Sequence, residues 1–344
     1  LVVAIILAFV GDRRFAPEIN ILGSAVTFLA GVALAIQVYM QGPIIAGGKF
    51  FFVDAFNVYL AVLTSFVSMT TAIFSRRYMR REREHGRVGH TGMRFYHAMF
   101  QLFIFAMLLA LLTNNVAVLW IAMELATLST VLLVSLYRTP AAVEAAWKYF
   151  ILCGVGIAQA LFGTVLLYFA AEKVLGEGGE ALLWTNLIRV SGQLEPTVLS
   201  LAFVFLMVGY GTKVGLVPLH NWLPDAHSEG PTPISAVLSG LLLNIALYAL
   251  VRCKVLVDGS TGTHRAGYIM MGFGLLSILV AAFSLLRQKD IKRMFAYSSI
   301  EHMGIATFAF GLGGPIATFG GLMHMLTHSL TKSSIFFTVG HASQ

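Results

Sequence analysis

The sequence predicts an all-α polytopic membrane protein, and three observations carry the prediction. Hydrophobic residues make up 58% of the 344 and charged ones only 11%, against about 25% charged in an ordinary soluble domain. Mean hydropathy is +0.81. The apolar residues gather in runs of roughly 20, the length at which a helix crosses a bilayer core, and no run alternates like a ~10-residue barrel strand. A backbone in lipid must satisfy its own polar groups, which leaves helices.

Eleven such runs occupy residues 1–10, 19–40, 50–75, 97–113, 115–137, 143–171, 197–223, 233–254, 266–286, 291–311 and 315–341. The chain begins at Leu1 and stops just after the last run, so both ends are expected to be fragment ends, and no signal peptide can be argued. Cys153 and Cys253 lie in or near predicted helices without paired spacing, which implies neither a disulfide nor a metal cluster.

The net charge of +7 raises nucleic acid as a partner, but its distribution argues for a membrane. With the loops numbered in order, the odd ones hold fourteen Lys and Arg: Arg13, Arg14, seven arginines from Arg76 to Arg94, Arg138, Arg287, Lys289, Lys292 and Arg293. The even ones hold six: Lys49, Lys173, Arg189, Arg252, Lys254 and Arg265. The positive-inside rule makes the odd loops cytoplasmic, in a cell inner membrane crossed many times. "SRRYMRREREHGR" (75–87) is then a topology anchor. Three of the 23 basic residues remain, Lys148, Lys213 and Lys332, each inside a predicted helix. Ionisable groups there cost a few kcal/mol, so they face partners or water and are functional candidates.

Their surroundings sharpen this. The fifth helix, "LWIAMELATLSTVLL", has one acid, Glu124. The sixth carries "EAAWKYF", with Glu144 and Lys148 at i and i+4 on one face. A carboxylate beside a buried lysine keeps it charged, and its withdrawal favours the neutral amine. A structural ion pair is the plainer alternative at each position. The seventh helix is interrupted: in "GTKVGLVPLHNWLPDAHSEGPTP" (211–233), Gly215, Pro218, Pro224 and Gly230 cannot share one regular helix. Lys213 precedes the break and His220 follows it, and broken mid-membrane helices mark ion pathways in transporters. Asp225 and His227 are expected near the outlet, capping the next helix. In "HMLTHSLTKS" (324–333), His324, His328 and Lys332 are spaced by four and share a face; with an unperturbed pKa of about 6.5, histidine suits a proton relay. His97 and His302 are expected to be hydrogen-bonded core residues.

A weak internal echo joins "KYFILCGVG" (148–156) to "KSSIFFTVG" (332–340), each preceded by a Glu-bearing helix (Glu124, Glu301). A shift of five helices reverses direction through the membrane, the pattern of an inverted repeat. The expected organisation is 1–96 for the first three helices and the basic loop, 97–254 for the first repeat, and 266–344 for the start of a second. The partner of the broken helix would then lie beyond Gln344.

"TKVGLVPLHNWLPDAHSEGPTPISAVLSGLLLNIALYALVR" (212–252) closely resembles the signature of the antiporter-like membrane subunits of NADH:quinone oxidoreductase (complex I), Mrp-type antiporters and membrane-bound hydrogenases. "RQKDIKRMFAYSSIEHMG" (287–304) and "HMLTHSLTKSSIFF" (324–337) are similar to two further signatures, and the resemblance covers most of 50–344. It implies a fourteen-helix fold with two inverted five-helix repeats, and its functional residues map onto Glu124, Lys148, Lys213 and the His324–His328–Lys332 face. One departure stands out: many members carry Lys or His in the eighth helix, where this chain offers Ser239 and Asn244. Asn does not titrate, so a relay from Lys213 must pass through water or hydroxyls, or work differently. With "GHTGMRFYH" and "EAAWKYFILCGVGIAQALFGT", the chain looks most like the F-type subunits of hydrogenase-4 and formate hydrogenlyase-related complexes.

The expected function is ion translocation, most simply of protons, without redox cofactors in this chain. Nickel-iron and iron-sulfur centres are expected only in partner subunits, and any oxidoreductase activity belongs to the assembly of membrane subunits and a peripheral redox arm. The expected relay comprises Glu124, Lys148, Lys213, His220, His324, His328 and Lys332, with Glu144, Asn244 and Glu301 secondary. An Mrp-type sodium/proton antiporter subunit and a non-pumping membrane anchor are the alternatives. A haem carrier would need histidines facing each other across helices, and "HMLTH" lacks the Glu of a zinc peptidase motif.

Overall fold

The computed structural model describes residues 1–343. Its helices are α1 (Val2–Val10), α2 (Ala16–Gln41), α3 (Ala55–Glu84), α4 (His90–Leu112), α5 (Val116–Val134), α6 (Pro140–Leu175), a short α7 (Trp184–Val190), α8 (Pro196–Val214), α9 (Trp222–Glu229), α10 (Thr232–Val237), α11 (Leu243–Thr261), α12 (Arg265–Leu285), α13 (Ile291–Leu312) and α14 (Gly314–Ala342). Every apolar run is mostly helix. Eight stretches among the described residues are long and apolar enough to cross a membrane: α2 to α6, α8, the unit from α10 through α11, and α12. The polar residues of α13 and α14 lower their hydropathy, and α1 is short.

Several boundaries differ from expectation, three of them for clear local reasons. Run 50–75 opens not as helix but as a hairpin, Ile44–Ala46 (β1) paired antiparallel with Phe51–Val53 (β2), so the chain is not purely helical. The helix waits for Asp54, whose Oδ1 accepts from the backbone N–H of Phe56 and Asn57, while Asn57 Oδ1 accepts from Asp54 N–H; this reciprocal cap fixes the start of α3. At the other end α3 continues through the basic stretch to Glu84, and α11 runs past Arg252 and Lys254 to Thr261. Those cations are helical, not in loops: arginine and lysine are good helix formers, and a helix need not end where lipid does.

Odd loops bond to odd loops and even loops to even ones, which groups them into an odd and an even face. On the odd face Arg83 and Arg94 donate to Asp12, and Lys292 Nζ donates to the carbonyls of Ser228 and Gly230 at 2.8 and 2.7 Å. On the even face Asn114 N–H donates to Phe50 O, and Trp184 N–H to Asn114 O. Lys49 also pairs there with Glu180 at 3.0 Å, and that bond, with a second from Asn186, holds the Glu180 carboxyl below its ordinary range.

Helices α6 and α8 touch backbone to backbone, because a Cβ at Gly209 would come within 2.6 Å of Ala160 N. This contact seats the end of α8 in the core. On the even side Arg252 is caged: Trp184 lies 4.3 Å from its guanidinium, with Tyr248, Phe56 and Phe52 at 5.1, 5.5 and 5.6 Å. Its Nη2 donates to Asp54 Oδ1 at 2.7 Å. The cavity left among Phe52, Asn114, Trp184, Tyr248 and Arg252 is only about 20 Å³.

Asp54 thus caps α3 and neutralises Arg252 with one carboxylate. Asp54→Asn keeps a capping side chain and loses the charge, whereas Asp54→Ala loses both. The alanine variant is expected to melt lower in detergent, the extra loss over asparagine corresponding to about 1 kcal/mol for the cap. Equal melting of the two would leave the cap without a role.

Candidate functional site

Helix α8 ends at Val214 because Gly215 turns left-handed (φ 79°, ψ 30°), a conformation glycine adopts without Cβ strain. The chain resumes as α9 only at Trp222. The polar groups freed at the break find partners: Leu216 N–H donates to Gly211 O within it, while Trp222 Nε1 donates to Thr212 O and Val217 N–H to Ser277 Oγ. Lys213 sits in the last turn of α8, where the negative end of the helix dipole favours a cation. Its side chain is fully buried, and its Nζ lies 3.6 Å from Glu124 Oε2 on α5. Nζ also donates to Thr127 Oγ1, one turn along α5 from Glu124.

Hydroxyls extend this pair. Thr130 Oγ1 and Tyr149 Oη are 2.7 Å apart, and the Tyr149 ring stacks on Trp222 at 4.5 Å. Sequence reasoning missed Thr127, Thr130 and Tyr149. The first could have been found from its i+3 spacing to Glu124; the others show only when α6 lies against α5.

Lys148 differs from expectation. Its side chain is 48% exposed, so it is not a buried lysine, and Glu144, 2.7 Å away, is 66% exposed. The cause is the outward stripe of α6, which also carries Trp147, Ile151 and Val155. Lys148 reaches Asp225 of α9 at 3.2 Å, and Asp225 also binds Arg293 of α13. Asp225 is therefore an ion-pair hub rather than a cap. His227 is no cap either: it is wholly buried and stacks on Phe336 at 5.1 Å.

On α14, His324, His328 and Lys332 share one face and meet a fourth group. His302 of α13, expected to be an ordinary core residue, lies between the two histidines: its Nδ1 is 3.1 Å from His324 Nε2, and its ring centroid 5.6 Å from that of His328. His97 is a core residue as expected, but neither ring nitrogen finds a hydrogen-bond partner among the described residues. His328 Nε2 donates to Ser239 O at 3.2 Å, and Lys332 Nζ to Ser298 Oγ at 2.6 Å. The carbonyls of Ser239 and Gly240 belong to a π-helical turn, Leu238–Leu242, between α10 and α11. Such a turn loosens the regular ladder and is common at functional sites, and Ser329 Oγ donates to Gly240 O there. Asn244 Nδ2 donates to Ser329 Oγ at 2.7 Å, while Ser239 and Ser299 hydroxyls meet at 2.7 Å. The position lacking Lys or His is thus lined with hydroxyls.

His220, almost buried in the break, faces Tyr297 at 6.2 Å. Glu301 makes no ion pair among the described residues, and no side-chain hydrogen bond there joins Lys213 to Asn244 or to the histidine cluster. The structure therefore brings together two groups, Glu124–Thr127–Lys213 and His302–His324–His328–Lys332, and leaves Lys148 in a third at the chain's surface. No cluster of three or more His, Cys, Asp or Glu among the described residues could hold a metal ion.

A bundle of long apolar helices with ionisable groups sequestered around a broken span is an integral membrane protein. The chain belongs to the NADH:quinone oxidoreductase/Mrp antiporter transmembrane family, whose description matches residues 113–344. It is 51% identical over 340 residues to the "Hydrogenase-4 component F homolog" of Methylacidiphilum infernorum (isolate V4), covering 99% of this chain and 70% of that relative. A chain of the membrane-bound sulfane sulfur reductase (MBS), an archaeal respiratory membrane complex, superposes with a TM-score of 0.87 at 26% identity, covering 99% of this chain and 69% of that one. A chain of the Mrp complex from Dietzia sp. DQ12-45-1b shares the fold, with a TM-score of 0.84 at 20% identity over 98% of this chain and 62% of its own. Chains of this fold sit beside other subunits in multi-subunit membrane complexes.

Proposed function

We propose that this chain is the proton-translocating membrane subunit of a hydrogenase-4- or complex I-like oxidoreductase complex. The observation that carries the reading is the fully buried Lys213, 3.6 Å from Glu124 at the break in the seventh span. A buried ammonium persists only while a carboxylate or dipole balances it. A charge that draws Glu124 away leaves Lys213 to give up its proton, and the return of Glu124 restores the charged form. The hydroxyls of Thr127, Thr130 and Tyr149 offer the nearest acceptors and donors. Lys148 modulates the pair from the surface through Asp225, and the His302–His324–His328–Lys332 cluster passes protons laterally.

On this reading the chain lies in the cell's inner membrane with its odd loops in the cytoplasm, as the fourteen-to-six distribution of cations supports. Electron transfer, with its nickel-iron and iron-sulfur centres, takes place in a peripheral arm of partner subunits. The fold shared with the Mrp complex supports one second reading, an antiporter subunit driven by an ion gradient alone.

The test uses the full-length protein purified with its native partners and placed in sealed vesicles. Stoichiometric nickel and hydrogen-linked acidification of the lumen are expected. Acidification linked to NADH without nickel moves the chain to a quinone-linked complex. Sodium-driven proton movement with no redox centre in the assembly would establish the antiporter reading, and ordinary electron transfer with no ion movement would make the chain an anchor.

A further inference from the structure

The translocation reading gives Lys332 and the histidines of α14 no route to the odd face, and a buried chain of polar groups that it leaves idle leads there. The chain starts at Glu82, in the last turn of α3, whose side chain is wholly buried beside the basic loop. Glu82 Oε1 accepts from Arg87 Nη1 at 3.3 Å, and Arg87 is 58% exposed, so the buried carboxylate meets the odd-face solvent through one guanidinium. A second cation, Lys292, acts on it through space. The Tyr137 hydroxyl, just past α5, donates to the same carboxylate. Tyr78 Oη lies 3.1 Å from Tyr137 Oη, and Thr232 Oγ1 donates to Tyr78 Oη at 3.4 Å. A hydroxyl has one proton to give, which fixes the order: Thr232 to Tyr78, Tyr78 to Tyr137, Tyr137 to Glu82.

The inner end of the chain lies against α14. Thr232 opens α10, which packs so closely there that a Cβ on Gly340 would come within 2.9 Å of Thr232 Cγ2. His227 of α9 is wholly buried and stacked on Phe336, and neither of its ring nitrogens has a hydrogen-bond partner among the described residues. Packing on Phe336 needs no imidazole; a phenyl ring would serve without two buried polar atoms left bare. Phe336 follows Lys332 by one turn of α14, and Lys332 acts electrostatically on the His227 ring.

We infer that Glu82, Tyr137, Tyr78, Thr232 and His227 form a proton entrance from the odd face to Lys332, an inference that rests on the translocation reading. A proton taken up by the Glu82 carboxylate turns that group from acceptor to donor. It passes to Tyr137 Oη as the Tyr137 proton moves to Tyr78, the Tyr78 proton to Thr232, and the Thr232 proton through a bridging water to His227. Each hydroxyl gives one proton and receives one, so only the two ends change charge. Glu82 returns to the carboxylate, and the imidazolium hands its proton on to Lys332 in its neutral form.

The test measures the rate of proton movement by the intact complex, purified with its partners, in sealed vesicles. Glu82→Gln is expected to slow it about a hundredfold, the lower end of what one positioned proton donor contributes, and Tyr137→Phe to slow it as much. Glu82→Asp recovers most of the rate although glutamine is the closer match in size, because proton uptake needs the carboxyl and packing needs the shape. The double variant Tyr78→Phe/Tyr137→Phe is no slower than either single one, since both break the same chain. Tyr268→Phe, at an exposed tyrosine on the even side, changes nothing. Two results overturn the entrance alone, in a natural complex that pumps: Glu82→Gln and Tyr137→Phe both at the natural rate, or Glu82→Gln faster than Glu82→Asp with tyrosine losses that add, as in a structural cluster. A natural complex that moves no protons overturns the translocation reading, and this entrance with it.

Discussion

Lys213→Ala abolishes ion movement by the assembled complex while the partner subunits still co-purify in normal ratio. The expectation follows from where the lysine sits. It has no exposure, its close partners are Glu124 and Thr127, and it lies at the end of a helix that stops beside it. No neighbouring cation within α8 can take its place. Substitution also has a structural cost, since removing one member of a buried pair is worth about 3–5 kcal/mol where the other charge stays buried. A variant that fails to assemble would therefore say little, and the informative companion is Glu124→Gln/Lys213→Met, which removes both charges while keeping their volume. That double variant is expected to assemble like the natural chain and to move no ions. Normal pumping by either variant, measured as a pH change per electron transferred in sealed vesicles, would sink the relay.

Glu124→Gln alone has the second largest expected effect. The amide keeps the shape and can still accept a hydrogen bond, so packing on α5 is preserved, but the charge that balances Lys213 is gone. Pumping is expected to fall nearly as far as in Lys213→Ala, with a smaller loss of stability, since Glu124 retains 22% exposure. If the two residues act as one switch, the losses do not add: the double variant pumps no worse than either single one. Additive losses would mean that the groups act in separate steps. Glu144→Gln is the useful contrast. That carboxylate also pairs with a lysine, at 2.7 Å, but the pair lies at the surface, where exposed ion pairs contribute about 0–1 kcal/mol; its effect on pumping should be slight.

The periodicity of apolar residues carried the helices and the break, because lipid leaves few alternatives and Gly215 and Pro218 cannot be absorbed in a regular helix. It also marks Glu124 and Lys213 as candidates, each a lone charge in an apolar segment, but not the contact between them, which shows only in the fold. What it could not carry was which face of each helix points inward. Lys148 and Lys332 look alike in the echo of their sequences, yet one is half exposed and the other almost wholly buried. The difference lies in the neighbours. Lys148 stands on the outward stripe of α6, whereas Lys332 is covered by α13, which supplies Ser298 and Phe295. His302 hides its neighbours for a related reason: alone in its helix it resembles a core histidine, and its place beside His324 depends on a register between α13 and α14 that no single helix encodes. The π-helical turn at Leu238–Leu242 left no mark of its own, since its residues are apolar or small.

Asn244, Tyr248 and Arg252 follow one another at intervals of four along α11, from the hydroxyl-lined centre to the aromatic cage on the even face. The cavity at that outer end, about 20 Å³, holds about one water. A hydrated metal cation has no room at this end of the stripe, because the packed cage leaves space for about one water and Asp54 already balances the Arg252 charge.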